Sequence, residues 1–570
     1  MPGGLLNLVA YGAQNVILNG NPQKTFFKTT YAKYSNFGMQ KFRIDFNGQR
    51  TLRMTERSVF DFKVPRYADL LMDTYLVVNL PNIWSPVVPP LCDAVENSPS
   101  KTWQPFEFRW IDNIGSQMIE HVNFRVGGQL IQTLSGQYLM NMVERDFDEA
   151  KKQLYYKMTG NVADLNDPAN AQGRTNVYPN ALVGSNPDFN TAGAEPSIRG
   201  RTLYIPLNIW FTLAAKMAFP LISLQYAELT IEVVIRPVQE LYRVRHIAGG
   251  TEEFEPYGYY ESTDPTSSTY AFYKFLQSPP VVDVRTNTAY EDRRTNWDSD
   301  IHLLSTYCFL SDDEIRVFAS QPQQYLIKEV YTTEYQNVVG SQRVDLKSIG
   351  MVSSYMWFFQ RSDAFERNEW SNYTNWAYAG VKPAGVRVPM LDTVEPYTCS
   401  DSQGVARTFY PMYNVDNSHT GIMYTGTASP LNVESIMTSW ALLLDGKYRE
   451  NQQDAGVLGY VEKYVRTSGN GQDGLYCYNF SLNTTPTDFQ PSGAMNMSPF
   501  TTVEFEVSTT TPILDTQAEF STICGPDGVV IGTIKPAWGI YEYTFNLIVM
   551  EERFNVLKFE SGMAALEFAR

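Results

Sequence analysis
The sequence predicts an all-β chain of two consecutive antiparallel sandwiches with long loops and a few short helices, and three observations carry that prediction. The first is length: 570 residues exceed what one hydrophobic core of ordinary size serves, so two large domains or one duplicated unit follow. The second is composition. Aromatics make up 14% of the chain, and its 32 Pro and 37 Gly are scattered along the whole length, which suits many short strands joined by turns. The third is a period-two alternation of apolar and polar residues that recurs from one end to the other.

That alternation is plain in four places. Phe42, Ile44 and Phe46 share one face while Lys41, Arg43 and Asp45 share the other. Ile231, Val233 and Ile235 repeat the pattern before Pro237 ends the run. Val503, Phe505 and Val507 form a third example, and Tyr541, Tyr543, Phe545, Leu547 and Val549 a fourth. Each reads as a half-buried antiparallel strand. Helical periodicity is scarce. Its best case is one helix over Tyr138 to Met158, where Met142 and Val143, Phe147, Ala150, Leu154 and Tyr155, and Met158 recur at three- and four-residue steps and Gly160 is the expected stop. A second helix is signalled by Ser311-Asp-Asp-Glu314, whose spacing predicts a capping box in a linker between two sheet domains.

Three stretches read as long surface excursions: Asn161 to Ser197, Ala248 to Arg294, and an irregular segment from Ala364 to Ser429. A weak internal echo accompanies them. Val122 to Gly128 and Ser439 to Gly446 each read as a strand ending in a glycine turn, and the glycines stand 446 − 128 = 318 positions apart. Pro220 and Pro536 stand 536 − 220 = 316 apart, so the two offsets together hint at duplication. Two sandwiches of roughly 250 to 300 residues match the size an all-β domain reaches.

Composition also excludes function classes. Charged residues are 19% and hydrophobic ones 43%, which fits a compact, associating protein and not a disordered polyelectrolyte. Lys plus Arg is 45 against 61 Asp plus Glu, and a formal charge of −16 opposes direct packaging of nucleic acid. The five cysteines are odd in number and far apart, which argues against a disulfide framework or a zinc site and fits a reducing compartment. The first charged residue is Lys24, so no basic signal or transit region opens the chain, and no run approaches the roughly 18 apolar residues of a membrane span. The apolar segment Gly3 to Gly12 reads as an extended arm packed on a neighbour, with a membrane-touching segment as its rival.

Catalytic chemistry finds no anchor. His121, His246, His302 and His419 have no metal-ligand spacing, no G-x-S-x-G elbow exists, and Gly446-Lys447 lacks the rest of a phosphate loop. Gly469-Asn-Gly-Gln-Asp-Gly474 matches G-x-G-x-x-G, but a strand pattern follows it where a nucleotide site needs a helix, so a turn is predicted. Asp312, Asp313 and Glu314 are acids of the kind that suit a helix start, and they point in different directions. Trp and Tyr clusters at Met356 to Phe359 and Trp370 to Trp376 could form a stacking platform, but a β core explains the first of them at least as well. Catalytic, cofactor and metal sites are therefore expected to be absent. Asn372, Asn479 and Asn483 are candidate glycosylation sequons, and Asn496 is weakened by Pro499 behind its motif.

Several collinear stretches resemble the major capsid proteins of nucleocytoplasmic large DNA viruses, the mimivirus-, chlorovirus- and iridovirus-like group. They are Leu5 to Gln14, Gly20 to Lys28, Tyr34 to Phe37, Asp69 to Leu76, Phe219-Pro-Leu-Ile-Ser-Leu-Gln-Tyr226, Gln324 to Ile327, Met356 to Gln360, Gln490 to Asn496 and Asn555 to Met563. Departures are Ala227, where many members carry histidine, and the long loop from Ala248 to Arg294. The resemblance implies two consecutive eight-stranded antiparallel jelly rolls, divided as a 1–24 arm, a first roll over 25–315 and a second over 316–570. It further implies three chains per pseudo-hexagonal capsomer tiling the icosahedral outer shell of the virion. Minor capsid and penton proteins would be its partners, with an internal viral membrane beneath, and assembly would take place in the host cytoplasm. Such a trimer carries 3 × 16 = 48 formal negative charges, so its tiling needs screening, matched charges or large apolar contacts. Two rivals stay open on residues alone: a carbohydrate-active or lectin-like sandwich, and a double jelly-roll scaffold that shapes membranes but leaves the mature particle.

Overall fold
A computed structural model describes residues 3–88, 104–179, 195–245, 271–277, 290, 293, 296–376, 378–380, 397–400, 406–413, 419–425, 433–488, 490–512, 521–524, 530–534 and 543–568. Sixteen strands build two barrels. The first contains β1 (Gly38–Asp45), β2 (Ser58–Lys63), β3 (Leu70–Leu80), β4 (Ile119–Val126), β5 (Gln129–Ser135), β6 (Arg201–Pro206), β7 (Leu229–Ile235) and β8 (His302–Phe309). The second contains β9 (Gln323–Val338), β10 (Ser341–Asp345), β11 (Met351–Arg361), β12 (Met437–Leu444), β13 (Lys447–Asp454), β14 (Leu475–Asn479), β15 (Val503–Thr509) and β16 (Phe545–Glu560).

Strand order is the same in both. The first barrel stacks a β1-β8-β3-β6 sheet on a β2-β7-β4-β5 sheet, and the second stacks β9-β16-β11-β14 on β10-β15-β12-β13, every pairing antiparallel. This is the jelly-roll order twice over, a double jelly roll. The sequence echo falls on matching hairpins. Gly127 and Gly128 turn β4 into β5, Asp445 and Gly446 turn β12 into β13, and all four residues have positive φ, as a two-residue type I′ turn requires. The second member of the proline echo, Pro536, lies outside the described residues.

Consecutive strands of such a sandwich alternate in direction, so alternate connections emerge at opposite ends. The five longest excursions, 81–118, 136–200 and 236–301 of the first barrel and 362–436 and 510–544 of the second, all fall on connections of one parity, while the opposite parity carries nothing longer than 207–228 and 480–502. Each barrel therefore gathers its longest loops at one end.

Two cores follow from the alternation. Phe60, Phe62, Phe124, Ile231 and Leu303 fill the first barrel. In the second, Trp357 stacks on Trp440 with ring centroids 5.2 Å apart, against Phe505 and Val549. Ile231, Val233, Ile235, Val503, Phe505 and Val507 are all buried as their pattern predicts, and Tyr543, Phe545, Leu547 and Val549 likewise. Tyr541 lies outside the described residues.

The structure corrects four expectations. The single helix over 138–158 is two, α1 (Gly136–Asp146) and α2 (Glu149–Thr159), because Asp148 starts a new helix by accepting the Lys151 amide at 2.9 Å. Gly160 is the stop, with φ of 81°. The linker helix α3 (Asp312–Ser320) forms without its capping box: the Ser311 hydroxyl donates to the Glu314 carboxylate at 3.4 Å and caps no amide. The arm is not extended throughout, since short helical turns occupy Leu6–Val9 and Val16–Asn19. Finally, the segment read as irregular contains an antiparallel meander of Tyr397–Ser400, Ala406–Tyr413 and His419–Thr425, whose Thr- and Tyr-rich strands lack sustained alternation.

Candidate functional site at the seam between the barrels
The most built region of the molecule is the seam where the outer face of the β9-β16-β11-β14 sheet meets the first barrel. Alternation fails on β11, where Met351-Val-Ser-Ser-Tyr-Met-Trp-Phe-Phe-Gln-Arg361 is buried at every position after the first. Tyr355, Trp357 and Phe359 enter the second core, whereas Met356 and Phe358 join the first, together with Ile548 and Met550 of β16. A strand covered on both faces needs a near-continuous apolar run.

At the centre, Arg145 at the end of α1 donates through Nε and Nη2 to Asp146, at 3.0 and 2.7 Å, and through Nη2 to Oε1 of Glu552 on β16 at 2.7 Å. Tyr138 and Ser354 donate their hydroxyls to Glu552 at 2.9 and 2.6 Å, Thr484 donates to Asp146, and Lys328 stands 3.9 Å from Glu552. Arg145, Asp146 and Glu552 are no more than 1% exposed. Burial opposes the charge on Glu552, yet Arg145 and Lys328 bring its carboxyl down to about 2. Burial outweighs Arg145 at Asp146 and lifts that carboxyl above its ordinary value.

Other contacts extend the seam. The α1 carbonyls of Glu144 and Arg145 accept the amides of Gly471 and Gly469 at 2.7 and 2.8 Å, so the glycine loop caps a helix end. A Cβ on Gly469 would lie 2.5 Å from the Glu144 carbonyl oxygen, which explains glycine there. Asn141 donates to the Tyr373 hydroxyl at 2.9 Å, and Tyr373 stacks on Phe358. Arg243 pairs with Glu369 and, at 3.2 Å, with Asp112. Asn368, at φ 53°, donates to the carbonyls of Gln239 and Tyr242, and Trp370 donates to that of Glu240 while lying under the Arg236 guanidinium. The segments Phe219 to Tyr226 and Asn555 to Met563 also meet here. Gln225 and Tyr226 give their amides to the Gly562 carbonyl at 3.0 and 3.1 Å, and Phe219 packs edge-on against Phe559.

Such a seam fixes two barrels as one block. Its carboxylates are held by arginines and hydroxyls in closed pairs, the arrangement of a joint. Residues singled out from sequence fall elsewhere. Asp312, Asp313 and Glu314 start α3, with Glu314 accepting from Ser35 at 2.5 Å. His302 is buried with Nδ1 2.6 Å from the Asp300 carbonyl oxygen, and among the described residues no three His, Cys, Asp or Glu side chains cluster as metal ligands. His246 lies outside the described residues, and the His419 side chain is not described. Cys308 and Cys477 are buried free thiols, and burial pushes the Cys477 thiol up to about 11. Asn372 is buried, donating to the Trp376 carbonyl and accepting from Thr374; Asn479 is buried on β14, 3.3 Å from Glu462; Asn483 is exposed. Sequence reasoning missed Arg145, Glu552, Arg243 and Glu369, which are far apart in the chain and carry no local motif.

The arm before β1 is a second interaction feature. Leu8, Ile17, Leu18, Phe26, Phe27, Tyr31 and Tyr34 are all exposed, a density of uncovered apolar side chains that marks a surface built to be covered.

Two jelly rolls of equal strand order, joined at one buried seam, define a double jelly-roll protein. Comparison with known proteins supplies the family. Residues 25–277 match the family described as major capsid protein N-terminus, and residues 314–565 match the large eukaryotic DNA virus major capsid protein family. The major capsid protein of Phaeocystis pouchetii virus is 25% identical over 543 residues, covering 87% of this chain and 91% of its own length. That of Paramecium bursaria Chlorella virus 1 is 23% identical over 574 residues, covering both chains in full. In fold, the chain is similar to the PBCV-1 virus capsid, with a TM-score of 0.58 at 17% identity over 96% of this chain and 100% of that one. The Faustovirus major capsid protein gives 0.58 at 14% identity over 98% and 96%. The chain belongs to the major capsid proteins of large eukaryotic DNA viruses, and its role is that of a structural subunit of the virion capsid.

Proposed function
We propose that three copies of this chain associate into a pseudo-hexagonal capsomer, and that these capsomers tile the icosahedral outer shell of the virion. The observation that carries the reading is the duplication itself. Two barrels with one strand order, held rigidly at a buried seam, present two similar corners per chain, and three chains then present six. The units are a 1–24 arm, a first roll over 25–315 and a second over 316–570. The long-loop ends form the outer tower of the block. The uncovered arm reaches toward the inner surface, where minor capsid and penton proteins and an internal membrane lie, and assembly proceeds in the host cytoplasm.

Neither catalysis nor direct binding of the genome belongs to this reading, given a net charge of −16 and carboxylates enclosed in ion pairs. Of the three candidates Asn372, Asn479 and Asn483, Asn483 is the position a glycan can reach, so modification is proposed there and not at buried Asn372 or Asn479. Light scattering on purified chain tests the association. A stable mass of three chains at micromolar concentration is expected, and a stable monomer would overturn the proposal. Intact-mass analysis of virion protein tests the glycan: loss of the added mass in Asn483→Gln supports it, and retention of that mass contradicts it.

A further inference from the structure
The two barrels share strand order but not surroundings, and the difference points to a surface. Each carries a helix after its fifth strand. In the first barrel this is α1, which starts at 136 after β5. In the second, a wide helical turn over Val457–Val461 runs into α4 (Glu462–Arg466) after β13. The starts are 457 − 136 = 321 apart, close to the 318 that separates the hairpin glycines.

Their exposures are opposite. In α1 nearly every residue is buried, because its Tyr138 and Arg145 bond to Glu552 on the outer face of the second barrel's β9-β16-β11-β14 sheet and its Asn141 bonds to Tyr373, which stacks on Phe358 of that sheet. The second helix turns Tyr460, Val461, Tyr464 and Val465 to solvent, with Tyr464 91% exposed. Spacings of three and four residues place these side chains in one strip. A strip of two tyrosines and two valines on a helix whose counterpart is almost wholly covered is an interface without its partner among the described residues.

The partner surface follows from the same duplication. In the second barrel α1 meets Glu552, which stands opposite Ser354 of β11 and Val330 of β9. Strands β11 and β3 start at 351 and 70, so Ser354 corresponds to Asp73. Beside Asp73 the register of β8 shifts between Ser305 and Tyr307, and Thr306 at this shift stands opposite Lys41 of β1. Thr306 thus takes the place of Glu552, and its hydroxyl is buried with no hydrogen-bond partner. Around it the outer face of the β1-β8-β3-β6 sheet leaves Met39, Lys41 and Tyr204 exposed and Tyr75 half-buried, while α3 covers only the neighbouring patch at Leu70, Met72 and Cys308.

We propose that the strip Tyr460, Val461, Tyr464 and Val465 docks on the outer face of the first barrel of a second copy of this chain, over Met39, Lys41, Tyr75 and Thr306. It would continue between chains the contact that α1 makes within one chain. A head-to-tail contact of this kind closes into a ring of three copies when the rotations across it and across the seam together make one-third of a turn per chain. The inference rests on the capsomer reading above and names the surfaces that make it.

The test uses the full chain with a photoreactive phenylalanine analogue at position 464, irradiated and mapped by mass spectrometry of cross-linked peptides. Inter-chain links to 38–45, 70–80 or 302–309 are expected. Links confined to other peptides would overturn the docking. The variant Tyr464→Asp, at a position too exposed to disturb folding, is expected to raise the concentration at which the oligomer dissociates by about tenfold or more. An unchanged dissociation midpoint would equally overturn it. The two readings fail differently: a wild-type monomer in light scattering removes the capsomer itself, whereas a wild-type trimer with links elsewhere removes only this docking.

Discussion
Replacing Arg145 with methionine removes the one full positive charge enclosed between two buried carboxylates. Arg145 makes two hydrogen bonds to Asp146 and one to Glu552, and all three groups are almost inaccessible to water. Breaking a buried pair from one side costs about 3–5 kcal/mol, because a charge is left without its partner. Here Tyr138, Ser354 and, at 3.9 Å, Lys328 still hold Glu552, and Thr484 still donates to Asp146, so the lower end, about 3 kcal/mol at neutral pH, is expected. The assay is denaturant unfolding at fixed protein concentration, followed by fluorescence of Trp110 and Trp297 in the first core and Trp357 and Trp440 in the second. The variant should also reverse the local pH dependence. Without Arg145 both carboxyls rise in the folded state, so the deficit relative to wild type should narrow on acidification, by up to about 1.4 kcal/mol per pH unit for each proton taken up. Adding Glu552→Gln to the variant should restore a large share of the loss. A deficit under about 1 kcal/mol that does not vary with pH would refute the reasoning about this seam.

Three further outcomes follow from the same structure. Glu552 is held down to about 2, and Asp363 lies well below its ordinary value because Arg361 and Arg367 outweigh its burial. A depressed folded value means that stability is complete above the unfolded values, 4.5 and 3.8, and is lost as pH falls toward about 2. Unfolding midpoints measured from neutral pH downward should show that loss, and Asp363→Asn should flatten part of it. Trp440→Ala empties a position stacked on Trp357 in the second core and should cost about 3–5 kcal/mol, read as a shift in the tryptophan-monitored midpoint. Gly469→Ala drives a Cβ into the Glu144 carbonyl and should cost on the order of 1–3 kcal/mol, with faster amide exchange in α1.

The barrels were legible in the sequence because a sheet with one buried face writes period two into its residues. Phe42, Ile44 and Phe46 follow it, as do Ile231, Val233 and Ile235, and the two type I′ hairpins betrayed the duplication through their glycines. The helix break at Asp148 was not legible, since the apolar spacing runs on through it and only the cap oxygen decides. Nor was the seam. Arg145 and Glu552 are 407 positions apart, and a buried ion pair leaves no periodic trace. One signal did exist in the apolar run Tyr355 to Phe359 of β11, which announces a strand covered on both faces. The exposed strip at Tyr460 to Val465 was equally hidden, because its meaning comes from comparison with α1 and not from its own residues.

The measurement that bears most directly on the account is single-particle electron microscopy of the purified chain. Three double-barrel subunits in a block with a hexagonal outline and threefold internal symmetry are expected, with the helix after β13 of each chain against the first barrel of the next. Isolated double barrels, or blocks in which that helix still faces solvent, would contradict it.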